Sequence, residues 1–311
     1  MPSMPPPGPD VAVSEELFAS VAPGVQVCYQ TFGTPADDPL LLVMGLGGPM
    51  TWWDPALCAK LAAAGFFVVR YDNRDTGRST KIDAKVTRSQ LVNAFATRRA
   101  RAPYTLGDLA GDAVGLLDHL GLERAHLAGV SMGGMIAQTV AVEHPDRVLS
   151  LTSIMSTTGR RTVGWQSPQL LPTVVVPRRP GRDAYVRSSA MVWRAIGSPG
   201  YPIDPEAARM RAEETFDRGF TADGVMRQML AVVTQPDRTA ALRRLQVPAL
   251  VIHGRADKMV HVSGGRATAA AIPGAELLLV EEMGHDMPAA LHDRFVEAIR
   301  ATADRASEPA S

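Results

Sequence analysis

The chain has 311 residues, with 32 Lys and Arg against 32 Asp and Glu, so its formal net charge is zero, and 46% of its residues are hydrophobic. Balanced charge gives no electrostatic reason to expect a nucleic acid or an anionic membrane as partner. The apolar content suffices for a large core, and one main domain with an inserted subdomain is the simplest division.

Residues 1–15 are proline-rich and lack the basic-then-apolar order of a secretory signal, so they read as a disordered start. Residues 16–156 and 246–303 alternate strand-like and helix-like runs, the pattern of a mainly parallel α/β sheet with helices on both faces. In chain order the strands are expected at Val25 to Phe32, 40–43 and 66–71, with a helix over 53–64 and another over 106–120 that Thr105 caps. Cys28 falls in a strand-like run and Cys58 in a helix-like one. Two isolated cysteines form neither a disulfide framework nor a metal-ligand spacing, and free thiols suit a reducing cytoplasm. The polar segment Asp72 to Ser79 reads as structural, a tight loop tied by local hydrogen bonds to the backbone.

A strand over 125–128 is followed by Gly129-Val130-Ser131-Met132-Gly133 and then by the helix-like run 135–142. A strand, a sharp turn and a helix lift the central serine above the sheet edge, and the flanking glycines leave room for the close approach that such a turn needs. Ser131 is therefore a candidate nucleophile. A serine hydroxyl needs a base within reach and a carboxylate to orient that base, and in this version of the arrangement both follow on later strand-end loops.

The next strand, 148–154, is followed by Met155-Ser156-Thr157-Thr158, which offers no carboxylate. The alternation then breaks. Residues 157–245 carry many prolines and helix-like segments at 182–196, 205–216 and 222–233, and read as a helical cap. Its large apolar residues, Trp165, Met191, Trp193, Met210, Met226 and Met229, together favour an apolar substrate, although any one of them can serve instead to pack the cap on the core. Arg178, Arg179, Arg182 and Arg187 read as a solvated face.

A strand over 249–253 leads to Asp257, and a strand over 276–280 leads to His285. His285 has its own downstream loop, whereas His126, His119, His292 and His144 lie in or beside regular elements, leaving His253 and His261 as competitors and His253 as the second choice. For the carboxylate, Asp257 is preferred over Asp286, Glu281 and Glu282: Asp286 neighbours the histidine in sequence and is expected to point away from it, and the two glutamates are expected to face solvent. Backbone N–H groups of Met132 and of Leu46, in the glycine-rich loop 44–49, are the candidate oxyanion donors. Trp52 and Trp53 follow that loop and, with Trp165 and Trp193, are candidate substrate contacts.

On these residues the chain resembles the α/β-hydrolase fold family. Leu42-Val43-Met44-Gly45, the segment Tyr71 to Ser79 and Gly129 to Gly133 are most similar to the aclacinomycin methylesterase group of bacterial serine esterases and lipases, which shares Met-Gly where many family members carry His-Gly. The resemblance places Ser131, Asp257 and His285 on the family's catalytic positions and implies a carboxylic ester substrate. It implies no metal or organic cofactor. Two-step acyl transfer on a small or medium apolar ester is the activity expected, by a monomer or homodimer. Perhydrolysis or carbon–carbon bond hydrolysis on the same residues, or a non-catalytic binding protein on this scaffold, are the alternatives. Dehalogenases and epoxide hydrolases of the fold place aspartate where this chain has Ser131. No apolar run approaches the roughly 20 residues needed to span a bilayer, and residues 304–311 read as a frayed tail.

Overall fold

The computed structural model describes residues 11–97, 100–170 and 181–306. The expectations for Arg178 and Arg179, for residues 1–10 and for residues 307–311 lie outside them. Eight strands form one sheet in the order β1-β2-β4-β3-β5-β6-β7-β8: β1 (Leu17–Ala22), β2 (Val25–Phe32), β3 (Asp38–Val43), β4 (Phe66–Tyr71), β5 (Ala125–Val130), β6 (Val148–Ile154), β7 (Ala249–Gly254) and β8 (Glu276–Val280). From β4 to β8 the neighbours run parallel, while β1–β2 and β2–β4 are antiparallel.

Period-two alternation explains why the sheet is covered on both faces. On β3, Leu41 and Val43 enter one core with helices α3 (Leu106–His119) and α4 (Met132–Glu143), while Leu40 and Leu42 enter the other with α1 (Pro55–Ala63) and α10 (His292–Asp304). Helix α1 begins at Pro55, not at Trp53, because the Asp54 side chain accepts the Ala56 N–H and proline suits the first helical position. Thr105 caps α3 in a reciprocal box with Asp108.

Strand β1 and helix α2 (Arg88–Thr97) are among the elements that were not anticipated. Strand β1 is an edge strand with Leu17 and Phe18 exposed, so its sequence lacks a clean apolar alternation. Helix α2 buries only Ala94 fully and carries exposed Val92 and Phe95. Residues 11–15, expected to belong to a disordered start, are held to the sheet: Val13 bridges to Phe32, and Ser14 donates its N–H to Thr31 O and accepts the Thr31 N–H on its hydroxyl. At the other end, Arg305 binds Ala249 O at 3.2 Å and Glu276 at 2.9 Å, which orders the chain past residue 304.

Between β6 and β7 lie α5 (Arg182–Ile196), α6 (Pro205–Asp217), α7 (Ala222–Thr234) and the short α8 (Thr239–Leu242); α9 (Ser263–Ala271) follows β7. Among the described residues no helix is long and apolar enough to cross a membrane.

Chain order places the site. After β3 the chain passes outward to β4 and then returns past β3 to β5, so β3 and β5 are adjacent and their onward connections diverge. A crevice opens outside the carboxyl ends of strands at such a switch point. The Leu46 loop leaves β3 there, and Ser131 leaves β5.

Candidate active site

Ser131 has φ 57° and ψ −119°, a conformation that costs a non-glycine residue of the order of 1–3 kcal/mol and is held by its surroundings. Its N–H donates to Ile154 O at 2.8 Å and its carbonyl accepts the Ser156 hydroxyl at 2.8 Å, so the end of β6 grips the turn from both sides. The glycines are sterically required. A Cβ at Gly129 would lie 2.2 Å from Gly133 O, and one at Gly133 would lie 2.0 Å from Val43 O. Those approaches let α4 start directly on the sheet with Ser131 at its mouth.

The Ser131 hydroxyl lies 3.1 Å from His285 Nε2, and His285 Nδ1 lies 2.7 Å from Asp257 Oδ2. An ionised carboxylate only accepts hydrogen bonds, so Nδ1 carries the proton and the Nε2 lone pair faces the serine. Asp257 Oδ1 accepts the N–H groups of Met259 at 2.8 Å and Val260 at 2.9 Å. Burial pushes the Asp257 carboxyl up, but attraction to His285 and the hydrogen bonds from His253 and His285 outweigh it and hold the carboxyl well below the usual carboxylate range.

The competing residues have other partners. His253 is fully buried behind Asp257; its Nε2 lies 2.8 Å from Val260 O and 3.5 Å from Asp257 Oδ2. His261 stacks on Trp165 and bonds Ser263. Asp286 accepts the Ser198 hydroxyl at 2.5 Å, Glu281 pairs with Arg255, and Glu282 is exposed.

The loop after β3 abuts the serine: a Cβ on Gly45 would stand 3.2 Å from Ser131 Cβ. The loop is pinned by Gly47 N–H to Gln228 Oε1 at 2.7 Å and by Asn73 Nδ2 to Met44 O at 2.9 Å. Leu46 N–H has no acceptor among the described residues, and neither has Met132 N–H at the start of α4. Both donors are therefore uncommitted, and the second stands at the positive end of a helix.

Sequence reasoning missed Gln228 and a strap from the segment after α5. His285 N–H donates to Ile196 O at 2.8 Å, Gly284 N–H to Ser198 Oγ at 2.8 Å, and Gly200 N–H to Glu282 O at 3.2 Å. The Ser198 hydroxyl, accepting from Gly284 and donating to Asp286, ties both sides of His285. No motif announces these contacts, since the partners lie far apart in the chain.

The Asp72 to Ser79 segment is structural, but local bonds are only part of its role. Asp72 accepts from Met50 N–H at 2.7 Å and pairs with Arg218 at 2.8 Å, while Asp75 pairs with Arg227 at 2.7 Å and accepts the Tyr104 hydroxyl at 2.7 Å. It thus binds the β3 loop below and α6 and α7 above.

The tryptophan expectations divide. Trp53 is fully buried in the core with Leu57 and Phe66, so it packs the fold and is out of reach of a ligand. Trp52 is half-buried, meets the Trp193 ring edge-to-face at 5.1 Å and donates its Nε1–H to Thr215 Oγ1 at 2.9 Å. Trp165 is stacked on His261 and 48% exposed. Met191 and Met210 are 63% and 46% exposed, so neither packs the helices onto the core. Among the described residues no three His, Cys, Asp or Glu side chains gather as metal ligands.

The α/β hydrolase fold family model matches residues 38–288. The chain belongs to the α/β hydrolase fold family. Within it, the chain is 31% identical over 294 residues to a rhodomycin D methylesterase of Streptomyces sp. strain C5 and 30% identical over 294 residues to that of Streptomyces peucetius. In both cases the match covers 88% of this chain and 94% of the relative, bearing out the likeness to bacterial methylesterases read from the motifs. Among solved structures, an esterase from Rhodococcus sp. ECU1013 superposes with TM-score 0.70 at 22% identity over 93% of this chain and 98% of the other, a likeness of fold.

Proposed function

We propose that this α/β hydrolase cleaves carboxylic esters by two-step acyl transfer on Ser131. The observation that carries the reading is the hydrogen-bonded series Ser131–His285–Asp257, at 3.1 and 2.7 Å, on a strained turn beside two uncommitted backbone N–H groups. The methylesterase relatives support the ester as substrate.

In this reading the Ser131 oxygen attacks the ester carbonyl carbon while His285 Nε2 takes its proton. Asp257, kept ionised, stabilises the imidazolium and holds the ring in place. The carbonyl oxygen becomes negative and accepts from Leu46 and Met132 N–H, donors that need no reorganisation because both are already free. Collapse breaks the bond to the alcohol oxygen, which His285 protonates. Water, deprotonated by the same imidazole, then attacks the acyl-enzyme and releases the acid. The helices between β6 and β7 act as a cap over the site, and Trp52 and Trp193 form one wall.

Intact-protein mass spectrometry after fluorophosphonate treatment tests the nucleophile. One adduct, mapped to Ser131 and absent from Ser131→Ala, is the expected result, together with a loss of ester turnover of about 10³-fold or more in that variant. A Ser131→Ala chain that keeps near-parental turnover overturns the mechanism, and a folded parent that takes no adduct and turns over no ester favours a binding protein.

A further inference from the structure

Buried arginines in this chain find oxygens. Arg70 reaches Gln30 and Trp53 O, Arg74 reaches Asp112, Arg218 reaches Asp72 and Glu16, Arg227 reaches Asp75, and Arg238 reaches Gln138, Gln235 and Thr157 O. Arg211, on α6, does not follow this rule. Its Nε and Nη2 are sealed from solvent and meet no hydrogen-bond acceptor. The guanidinium carbon lies 4.1 Å from the Trp193 ring centroid and 5.6 Å from that of Trp52. These rings hold the cation in place but satisfy none of its in-plane donors. Asp286 and Asp54 attract it without a hydrogen bond, and burial lowers its pKa from the ordinary arginine value.

Two features give the orphaned edge a chemical meaning. Nε–H and Nη2–H form one side of the guanidinium fork, the side that presents two parallel donors to a planar pair of oxygens. The location joins both halves of the candidate site. Trp52 belongs to the connection that carries Leu46, and Trp193 lies one turn before Ile196, whose carbonyl receives the His285 N–H at 2.8 Å. The side chain as a whole keeps partial contact with solvent, away from Nε and Nη2, so a ligand reaches that edge by displacing the side chains that cover it.

We propose that Arg211 is a specificity residue whose Nε–Nη2 edge binds an ionised carboxylate carried by the substrate, beside the packed indoles of Trp52 and Trp193, so that the preferred ester is an acidic one. This rests on the ester-hydrolase reading of Ser131 and changes its expected substrate from a neutral apolar ester to one that bears a second, free carboxylate. A single planar anion matches one fork beside apolar rings better than a phosphate dianion, for which one guanidinium supplies too little charge and too few donors.

The test compares matched pairs: 4-nitrophenyl hydrogen glutarate against 4-nitrophenyl valerate, with the carboxylate on the acyl part, and 3-carboxyphenyl butyrate against phenyl butyrate, with it on the alcohol part. The parent chain is expected to favour the acidic member of one pair in kcat/KM, and Arg211→Met to lower that acidic-to-neutral ratio by roughly 10- to 100-fold. Which pair responds assigns the carboxylate to acid or alcohol. No preference in either pair, or a ratio that is the same in Arg211→Met, overturns the proposal; equal loss on both members means that Arg211 acts only through Asp286. If Arg211→Met does not fold, Arg211→Gln is read by the same ratio. If no ester is turned over at all, glutarate and benzoate titrated into folded Ser131→Ala and followed by tryptophan fluorescence separate the two failures. Binding that disappears when Arg211→Gln is added supports the anion site without the esterase, and the absence of binding overturns both.

Discussion

At the Ser131 turn, polar groups are held mostly by backbone. The serine N–H and carbonyl are tied to the end of β6, and Asp257 is fixed by two N–H groups of its own loop. At the seam beneath α6 and α7, side chains make the connections: Arg218 and Arg227 cross from the helices to Asp72 and Asp75, and Gln228 reaches Thr76 Oγ1 and Gly47 N–H. The two regions are buried to a similar degree and differ in what a substitution does. A change in the first leaves the fold standing and disables chemistry, because the backbone bonds survive. A change in the second strands a buried charge and weakens the fold.

The largest effect expected from that contrast is on rate. Asp257→Asn keeps the shape of the side chain but presents an amide in place of an acceptor-only carboxylate, so His285 loses the partner that fixes its tautomer. Turnover on a nitrophenyl ester should fall by about 10³- to 10⁴-fold, with unfolding by urea shifted far less. A variant that loses stability in proportion to its loss of rate would erase the distinction.

Next comes Arg227→Met. It leaves Asp75 buried with only the Tyr104 hydroxyl and the Ile82 N–H as donors. The loss of unfolding free energy should be about 3–5 kcal/mol, the range for breaking a buried pair from one side. Equilibrium urea unfolding of both chains measures it, and a change below about 1 kcal/mol would mean that the seam is held by packing.

What could be read from the sequence follows the same division. The cluster of Ser131, His285 and Asp257 that the structure brings together was legible because each lies on the turn or loop that follows a recognisable strand, and a parallel sheet brings its strand ends to one edge. Gln228 and Gly47 are 181 positions apart, and Arg227 and Asp75 are 152 apart. Pairs at such distances leave no periodic or spacing signal. Trp52 and Trp53 show the limit most sharply. Adjacent in sequence, they face opposite ways around the Asp54 helix cap, one into the core and the other against Trp193. Ser198 and Arg211 sit in helix-rich sequence where a serine or an arginine reads as ordinary surface. The edge strand β1 was missed because half-exposed positions weaken the alternation that marks a strand.

His126 supplies a pH test away from the chemistry. It is buried on β5 with Nδ1 2.8 Å from Ser150 Oγ, and burial, reinforced by Arg300 against the pull of Asp38, lowers its pKa to about 4 from 6.5. The unfolded chain therefore takes up this proton first as pH falls. The stabilisation is fully present above about 6.5 and is lost progressively toward 4, to a total of about 3 kcal/mol. His126→Asn should flatten that part of the stability profile, measured by urea unfolding at pH 7, 5.5 and 4.5. An unchanged slope would mean that other groups govern acid stability in this window.

The smallest expected effect falls where the two regions meet. Ser198 belongs to the helical segment yet acts on the loop that carries His285, so its hydroxyl joins seam to chemistry. Ser198→Ala leaves Gly284 N–H and Asp286 Oδ1 without this partner, a cost of about 1–3 kcal/mol if both stay buried. Backbone bonds from His285 to Ile196 and from Gly200 to Glu282 remain, so the loop should loosen without detaching. A kcat lowered by about 3- to 30-fold with KM changed less is the expected outcome, since a wandering imidazole affects proton transfer more than substrate affinity. Asp286→Asn, which keeps an acceptor for Ser198, should cost less. Combined with Ser198→Ala in a double-mutant cycle it should show coupling, because both changes act on one hydrogen bond. Additive losses would instead mean that Ser198 works through Gly284 alone, and a Ser198→Ala chain with reduced stability but parental kcat would place the strap wholly on the side of the fold.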